Sequence, residues 1–558
     1  MAELLILKIE YNISNSRMLF TKEQKKIYSR IHTFLRANDN KLLILGPSGS
    51  GKTTVVTKSI YEYCANNTMS IERVYFCAFT NKATNVLRNM VRGMFDSTTP
   101  NFATIHSMLM LEPNTIRIED IKNNKRRINE IRKSLVNKIY DYENLQKYLK
   151  NGVIDAAAED DAAAEDVLLF DYDFRRLGKL EDIDIIVIDE CSTISKELYV
   201  YIESTVRWMR DNFNHSIKII YLGDYYQLPP VGEKKSITFE NATQEKWPLY
   251  KLSKVMRAKT EQMSYINDAY LAFINKYLRT GKLTPHRISN PYKVIEQKYN
   301  TYITNYNEFI EKYVSVKDKD KIMITYSRTN STKLNLAIQK ILDFDNKNSR
   351  VPDMEYPPPY KYTPPFINFL ENDRIMLSRP INTPKFTVRQ GIYCIDMNES
   401  GEKLYSGDIF VVVASTKVKI RTIMNTYDRY HYDNVPKTFN GEMLEIKCLV
   451  SENETENMII FQVDNLESEK CRRVLRSKLG WNEYTGAMNI FRKTFSIVNR
   501  GHAMTCYKSQ GSEYKHVFVN LKSFWYSLLS DKRKCPRQLF SAFYTATTRA
   551  SEKVYLYT

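Results

Sequence analysis

The sequence predicts an α/β fold, with parallel sheets covered by helices and smaller domains inserted into them. Three observations carry this. Short apolar runs recur at the spacing of βα units. The first run ends in a glycine-rich turn and a helix-compatible stretch. The third ends in two adjacent acids.

The first run, Lys41 to Leu45 (KLLIL), reads as a buried strand leading into strand–loop–helix. Val74 to Phe79 follows about one βα unit later, then Ile183 to Ile188, then Ile217 to Leu222, which ends in Gly223-Asp224. Continuous apolar strands alternating with helical segments indicate a parallel sheet buried on both faces. Ligands bind such sheets beyond the strand ends.

Residues 107–182 read differently. Arg117 to Lys138 is charged and helix-compatible, with Lys122, Lys125, Arg126, Arg127, Arg132 and Lys133. A tandem hexapeptide follows, DAAAED at 155–160 and again at 161–166. It is too short and acidic to pack a core, so it reads as a surface insertion. A second α/β block starts near 250, with Lys321 to Thr325 as a strand. The proline cluster at 351–365 marks a boundary or rigid connection. From 366 to 500 the pattern turns to short strands, such as Asp408 to Ala414 and Met458 to Val463. Two more strand candidates, His516 to Leu521 and Val554 to Thr558, close the chain.

At 558 residues the chain has room for three or four domains. No run of 18 apolar residues predicts a membrane span, and MAELLILKIEYN lacks the basic leader and cleavage site of a signal peptide. Eight cysteines (Cys64, Cys77, Cys191, Cys394, Cys448, Cys471, Cys506 and Cys535) include no C-x-x-C pair, and the seven histidines are scattered. This predicts a reduced, intracellular protein without a zinc site, in nucleus or cytoplasm. The net charge of +18 favours a polyanionic partner, because neutralised phosphates release counterions, although a basic surface also serves solubility. The abundance of Tyr, Asn, Lys and Ile is the coding style of an AT-rich genome, viral or otherwise.

Gly46-Pro47-Ser48-Gly49-Ser50-Gly51-Lys52-Thr53, with Thr54 next, fits the phosphate-loop pattern G-x-x-x-x-G-K-[ST]. Its glycines let backbone N–H groups turn inward around phosphates, Lys52 reaches the β/γ-phosphates and Thr53 ligates Mg²⁺. The run IDIIVIDE delivers Asp189 to hold Mg²⁺ and Glu190 to deprotonate the attacking water. These residues predict ATP and Mg²⁺ as ligands. They leave open what hydrolysis drives, since phosphate-loop folds host many functions. In Gly223-Asp224-Tyr225-Tyr226-Gln227-Leu228-Pro229-Pro230-Val231, Gln227 is a neutral donor and acceptor suited to the γ-phosphate, and the two prolines stiffen the turn.

GD-x-x-Q-L-P-P-V after an apolar strand ending in DE resembles the superfamily 1 helicases, specifically their RecD-like and phage Dda-like 1B branch. Further motifs resemble that family in order. Phe20-Thr21-Lys22-Glu23-Gln24 resembles its adenine-reading element, with Gln24 as base contact. Phe79 to Thr84 (FTNKAT) resembles a nucleic-acid motif containing Thr80 and Asn81, with Phe79 where the family has proline. Ala103 to Met108 (ATIHSM) resembles a strand-backbone element containing Thr104 and His106. Leu252 to Arg257 (LSKVMR) resembles the motif supplying an arginine finger, Arg257. Thr325 to Asn335 resembles the element opening the second motor domain, with Asn330 toward nucleic acid. Thr505 to Glu513 (TCYKSQGSE) resembles T-x-H-K-S-Q-G, with Thr505, Tyr507 and Lys508 toward nucleic acid and Gln510 and Gly511 toward nucleotide. Tyr507 stands where the family has His. Tyr544 to Ala550 (YTATTRA) supplies Arg549 as the second finger.

The resemblance spans about residues 19–550. It implies two RecA-like motor domains, 1–106 with 183–249 and 250–365 with 501–558. It makes 107–182 an insertion carrying a strand-splitting pin, and 366–500 a β-rich, SH3-like insertion. It implies an ATP-dependent DNA helicase or translocase moving 5′→3′ on single-stranded DNA, with forked or tailed duplex as substrate and replication, recombination or repair as setting. An RNA helicase, a translocase that does not separate strands, and an ATP-gated DNA clamp are the alternatives. The K-S-Q-G form favours DNA over RNA, and the intact Glu190, Gln227, Arg257 and Arg549 argue against a clamp. A virus-encoded protein acting inside its host cell fits the composition.

Overall fold

A computed structural model describes residues 20–92, 100–117, 166–171, 180–230, 233, 235–256, 260–263, 265, 268, 302–345, 369–378, 381–389, 392–404, 407–423, 438–449, 457–463, 474, 495–496, 498–529 and 536–557. The chain divides into two compact units. The first takes Met1–Asn300, Gln510–Glu513 and Leu528–Lys553; the second takes Thr301–Ser509, Tyr514–Ser527 and Val554–Thr558.

The strands of the first unit are β1 (Lys41–Leu45), β2 (Val74–Ala78), β3 (Asn101–Thr104), β4 (Glu112–Arg117), β5 (Asp166–Asp171), β6 (Ile185–Ile188), β7 (Lys218–Gly223) and β8 (Leu249–Lys251). Six of them form one sheet in the order β3-β2-β6-β7-β1-β8, with every pairing parallel. β1 and β6 are almost wholly buried, as their continuous apolar runs require. Helices α1 (Lys22–Arg36), α2 (Lys52–Asn66) and α3 (Asn81–Arg92) supply one face, where Ile31, Phe34, Val55, Ile60, Leu87 and Val91 meet Leu42, Ile44 and Val187. On the other face, Leu198, Ile202 and Met209 of α4 (Lys196–Phe213) meet Leu43, Ile186 and Ile219. α5 (Ile237–Gln244) precedes β8.

α1 begins where a reciprocal capping box forms: Gln24 N–H donates to Thr21 Oγ1 at 3.2 Å, and Thr21 N–H donates to Gln24 Oε1 at 2.9 Å. β4 and β5 stand apart as a two-stranded antiparallel ribbon, Glu112 opposite Asp171 and Arg117 opposite Asp166. Arg117 ends a strand rather than starting the helix-compatible stretch. The rest of that stretch and nearly all of the DAAAED repeat lie outside the described residues.

The second unit contains two sheets. β9 (Tyr302–Ile303), α6 (Tyr306–Ser315), β10 (Lys321–Thr325) and α7 (Arg328–Asp345) open it. β11 (Arg374–Leu377), β12 (Ile381–Arg389), β13 (Ile392–Leu404), β14 (Ile409–Ile423), β15 (Thr438–Cys448), β16 (Met458–Val463) and β17 (Val498–Arg500) follow. β18 (Ala503–Thr505), β19 (Tyr514–Asn520), α8 (Leu521–Leu529), α9 (Pro536–Thr547) and β20 (Ala550–Tyr557) close the chain; α9 and the start of β20 belong to the first unit. One sheet runs β18-β10-β19-β20-β9, with Phe309, Tyr313, Met323, Ile338 and Phe518 in its core. The other runs β12-β13-β14-β11-β17, with β15 and β16 added beside β14, around Phe410, Val412, Leu444, Ile446 and Ile460. It is mixed: β13 and β14 pair in parallel, the remaining pairs antiparallel. β14 continues to Ile423, well past Ala414, where the short-strand reading ended it.

Buried charge joins these two sheets. Arg500 Nη1 donates to Asp373 Oδ2 at 2.8 Å, and both side chains are at most 5% exposed. Asp373 Oδ1 also accepts from Gln339 on α7, and Arg374 donates to Lys319 O at 3.0 Å and Lys321 O at 2.6 Å.

Candidate active site

The loop from Gly46 to Gly51 joins β1 to α2. Gly49 and Gly51 have φ of 75° and 80°, in the left-handed region open to glycine. A Cβ at Gly51 would lie 2.6 Å from Gln24 Nε2, and one at Gly46 would lie 2.6 Å from Ser50 Oγ. Gln24 Nε2 donates to Ser50 O at 3.1 Å, so the residue expected at the base braces the loop backbone here.

Lys52 Nζ donates to Gly46 O at 2.8 Å and Pro47 O at 3.1 Å. Thr53 Oγ1 donates to Asp189 Oδ2 at 2.7 Å, while Asp189 Oδ1 accepts the Glu190 N–H at 2.8 Å. Thr54 Oγ1 faces Met90 Sδ at 3.7 Å, turned toward α3. Glu190 has φ 55°, an uncommon conformation for a non-glycine residue, at the end of β6. Burial first, then Asp189, raises its pKa, against the pull of Arg549 and Lys52.

Beside this stands an arrangement the sequence reading did not find. Asp224, 1% exposed, accepts on Oδ2 from Ser48 N–H at 2.7 Å and from the Tyr544 hydroxyl at 2.7 Å. Its Oδ1 accepts from Tyr226 N–H at 3.0 Å. Ser48 N–H is shared, donating also to Tyr544 Oη at 3.1 Å. Burial raises the Asp224 pKa, while Lys52 and the donors around it lower it. Burial, then Asp224, pushes the Tyr544 hydroxyl well above its ordinary range, so it remains a donor. The signal was present, since Asp224 and Tyr544 lie inside quoted motifs. Only the fold brings them together.

Arg549 is 1% exposed. Its Nε donates to Thr545 O at 3.1 Å, Nη1 to Ser512 O at 3.3 Å, and Nη2 to Ser48 Oγ and Thr548 Oγ1 at 3.3 Å each. Thr545 Oγ1 in turn accepts from Leu228 N–H at 3.2 Å. Gln227 Oε1 and Gln510 Nε2 are buried with no protein partner among the described residues. A buried amide end without a partner is costly unless a ligand or water meets it. Gly511 has φ 73°, and a Cβ there would lie 2.7 Å from Ala83 Cβ and 3.5 Å from Thr80 Oγ1. Arg257 lies outside the described residues.

The residues expected at nucleic acid divide between the units. In the first, Thr80 Oγ1 accepts from Ala83 N–H at 3.1 Å, and Thr104 Oγ1 caps the single helical turn Ile105–Met108 through Ser107 N–H at 3.1 Å. His106 packs edge-on to the exposed Phe79 at 5.5 Å, and burial lowers its pKa to about 4. The Asn81 side chain lies outside the described residues. In the second unit, Asn330 N–H donates to Ser327 Oγ at 3.2 Å, and Thr505 Oγ1 accepts from Lys508 N–H at 3.4 Å. Tyr507 meets Tyr326 edge-on at 6.3 Å. Lys508 Nζ donates to Leu377 O at 3.1 Å, in the mixed sheet.

Two families match the chain. The AAA domain covers residues 31–233, and the UvrD-like helicase C-terminal domain covers 500–557. The first match holds the phosphate loop, Asp189, Glu190 and Gln227; the second holds Thr505 to Arg549. A protein of Acanthamoeba polyphaga mimivirus, named only uncharacterized protein R530, is 22% identical over 576 residues, covering 96% of this chain and 99% of that one. Among solved structures, Pif1 helicase from Candida albicans is similar at 13% identity and TM-score 0.45, covering 97% of this chain and 95% of that one. Pif1 helicase from Bacteroides in complex with ADP-AlF3 and ssDNA is similar at 15% identity and TM-score 0.41, covering 97% and 92%. No helix among the described residues is long and apolar enough to cross a membrane.

Proposed function

We propose that this chain is a superfamily 1 helicase that hydrolyses ATP to move along single-stranded DNA and separate duplex strands. The observation that carries the reading is the convergence of Arg549, from the UvrD-like segment, on Ser48 of the phosphate loop, from the AAA segment. An NTPase used as a simple switch has no need of a helicase C-terminal arginine there.

Lys52 is poised to leave the carbonyls of Gly46 and Pro47 for phosphate oxygens, and the loop N–H groups complete the cradle. Thr53 Oγ1 and Asp189 Oδ2 form a hydroxyl–carboxylate pair of hard oxygen donors, which fits Mg²⁺. When bound, the ion would neutralise phosphate charge. Glu190 accepts the proton of the attacking water, the open Oε1 of Gln227 orients that water, and Arg549 offsets charge on the transferring phosphoryl group. Arg257 is proposed as a second finger by resemblance alone.

Thr80, Asn81, Thr104 and His106 in one unit, and Asn330, Thr505, Tyr507 and Lys508 in the other, are proposed as strand contacts. The domain assignment by residue range, the pin on 107–182, 5′→3′ polarity, forked or tailed duplex as substrate and a host-cell setting for a viral protein belong to the same proposal. DNA is favoured over RNA by the K-S-Q-G motif at 508–511.

The test is steady-state ATP hydrolysis with single-stranded DNA, single-stranded RNA or duplex DNA, with Glu190→Gln as control. Strong stimulation by single-stranded DNA, lost in the variant, supports the motor. Preferential stimulation by RNA replaces the substrate, and indifference to all three sinks the motor reading.

A further inference from the structure

Within the phosphate loop, the N–H of Ser48 is committed to a side-chain carboxylate. Ser48 N–H points at the Asp224 carboxylate, 2.7 Å away, and at the Tyr544 hydroxyl, 3.1 Å away. A carboxylate oxygen stands here where a phosphate-loop amide ordinarily meets a phosphate oxygen. Two anions cannot share one N–H at close range in a buried site without strong repulsion. Entry of phosphate at Ser48 therefore requires Asp224 to give that N–H up. Once it does, the carboxylate stays buried, and its cost depends on the donors it keeps. Those are Tyr226 N–H on Oδ1 and the Tyr544 hydroxyl on Oδ2.

We propose that Tyr544 is a positioning residue for nucleotide binding: its hydroxyl, already on Asp224 Oδ2, is the donor that oxygen keeps when nucleotide phosphate claims the Ser48 amide. This rests on the ATPase reading above. Arg549, two residues past the end of the helix that carries Tyr544, reaches Ser48 Oγ through Nη2 at 3.3 Å. The last turn of α9 and Arg549 just beyond it thus meet the amide and the hydroxyl of Ser48. Thr545, between them in the chain, holds Leu228 N–H of the Gln227 loop at 3.2 Å. The Tyr544 ring also meets Tyr226 edge-on at 5.8 Å, so the hydroxyl is fixed from both ends of its side chain.

The test compares Tyr544→Phe, Asp224→Asn and the double variant in the full chain. Two quantities are read for each: affinity for a fluorescent non-hydrolysable ATP analogue without nucleic acid, and kcat and KM with single-stranded DNA. Tyr544→Phe keeps the ring and removes only the hydroxyl. Without the hydroxyl, Oδ2 keeps Ser48 N–H in the free state and neither donor once phosphate claims that amide, a difference that predicts about tenfold weaker analogue binding and a KM raised by a similar factor. In the Asp224→Asn background the same change should matter less, about twofold at most, because a neutral amide oxygen loses less than a carboxylate when a donor is removed. Removing a donor also makes the carboxyl easier to protonate, so the acid limb of kcat/KM should move to higher pH in Tyr544→Phe and not in the double variant.

If Tyr544→Phe weakens binding equally in both backgrounds, the tyrosine acts by packing and the inference is overturned. It is also overturned if Tyr544→Phe leaves both affinity and KM unchanged. Failure of the wild-type chain to bind the analogue would instead remove the ATPase reading beneath it. The two failures are therefore distinct.

Discussion

Arg549→Lys tests the site most sharply, because lysine keeps the charge and loses the shape. The guanidinium is a planar fork with donors on several sides, whereas an ammonium is one compact point. In this fold the fork meets Thr545 O, Ser512 O, Ser48 Oγ and Thr548 Oγ1 at once. A single Nζ cannot span them. Counting two charge-assisted bonds as lost, at about 1.5 kcal/mol each, the variant is destabilised by about 3 kcal/mol. At roughly 2–4 °C per kcal/mol for a unit of this size, its melting temperature falls by roughly 6–12 °C. An arginine acting on a transferring phosphoryl group contributes about 10³–10⁵ in kcat, so we expect a loss of at least about 10²-fold even with the charge retained. Thermal melting and single-turnover hydrolysis at saturating ATP, below the variant's melting point, measure the two effects separately. A protein that melts lower and still hydrolyses within about threefold of wild type refutes the catalytic part of the reasoning. Arg549 would then be a brace for the phosphate loop.

Three further outcomes are expected. Glu233 is lifted to about 7, chiefly by burial, with Oε1 accepting Lys196 N–H at 2.8 Å. A raised carboxyl favours the folded state at low pH and loses that contribution as pH rises from about 4.5 through 7, so Glu233→Gln should gain stability relative to wild type at pH 8 and little at pH 5, measured by urea denaturation. His106 and His32 are both held near 4 by burial, so each contributes stability above about 6.5 that is lost as pH falls toward 4; His106→Gln should flatten that acid limb, and an unchanged limb contradicts the burial argument. At Gly441 a Cβ would lie 2.1 Å from Gln462 O, so Gly441→Ala should cost about 3 kcal/mol or more by overpacking β15 against β16, and a variant as stable as wild type in thermal melting refutes that register.

The sequence revealed elements better than junctions. Lys41 to Leu45 and Lys321 to Thr325 are strands as read, and the other buried strands of the parallel sheets differ from their apolar runs by a residue or a few at the ends. That legibility has a cause: a strand buried on both faces must be apolar throughout, whatever surrounds it. The mixed sheet was less legible. β14 runs to Ile423 through Lys417, Lys419 and Arg421, whose alternation with apolar residues has no continuous apolar signature. At the site, residues such as Thr53 and Asp189 can be named from sequence because the chemistry expected of them fixes their type. Asp224 and Tyr544 were missed as a pair because no local rule relates positions 320 residues apart. Gln24 shows the converse: its motif suggested a base contact, and the fold gives its amide a place between Thr21 and Ser50.

The ribbon of β4 and β5 bears on how this chain can vary. Its last rung sets Arg117 opposite Asp166, with residues 118–165 between them in the chain. Asp166 is also the final residue of the second DAAAED copy. A duplication or deletion of a whole copy would therefore still deliver an aspartate to the same rung and Val167 to the next. Closing a longer loop is cheap, about 0.6 kcal/mol for each doubling of its length. Copy number here can change by whole repeats while the register of the ribbon inherits no change.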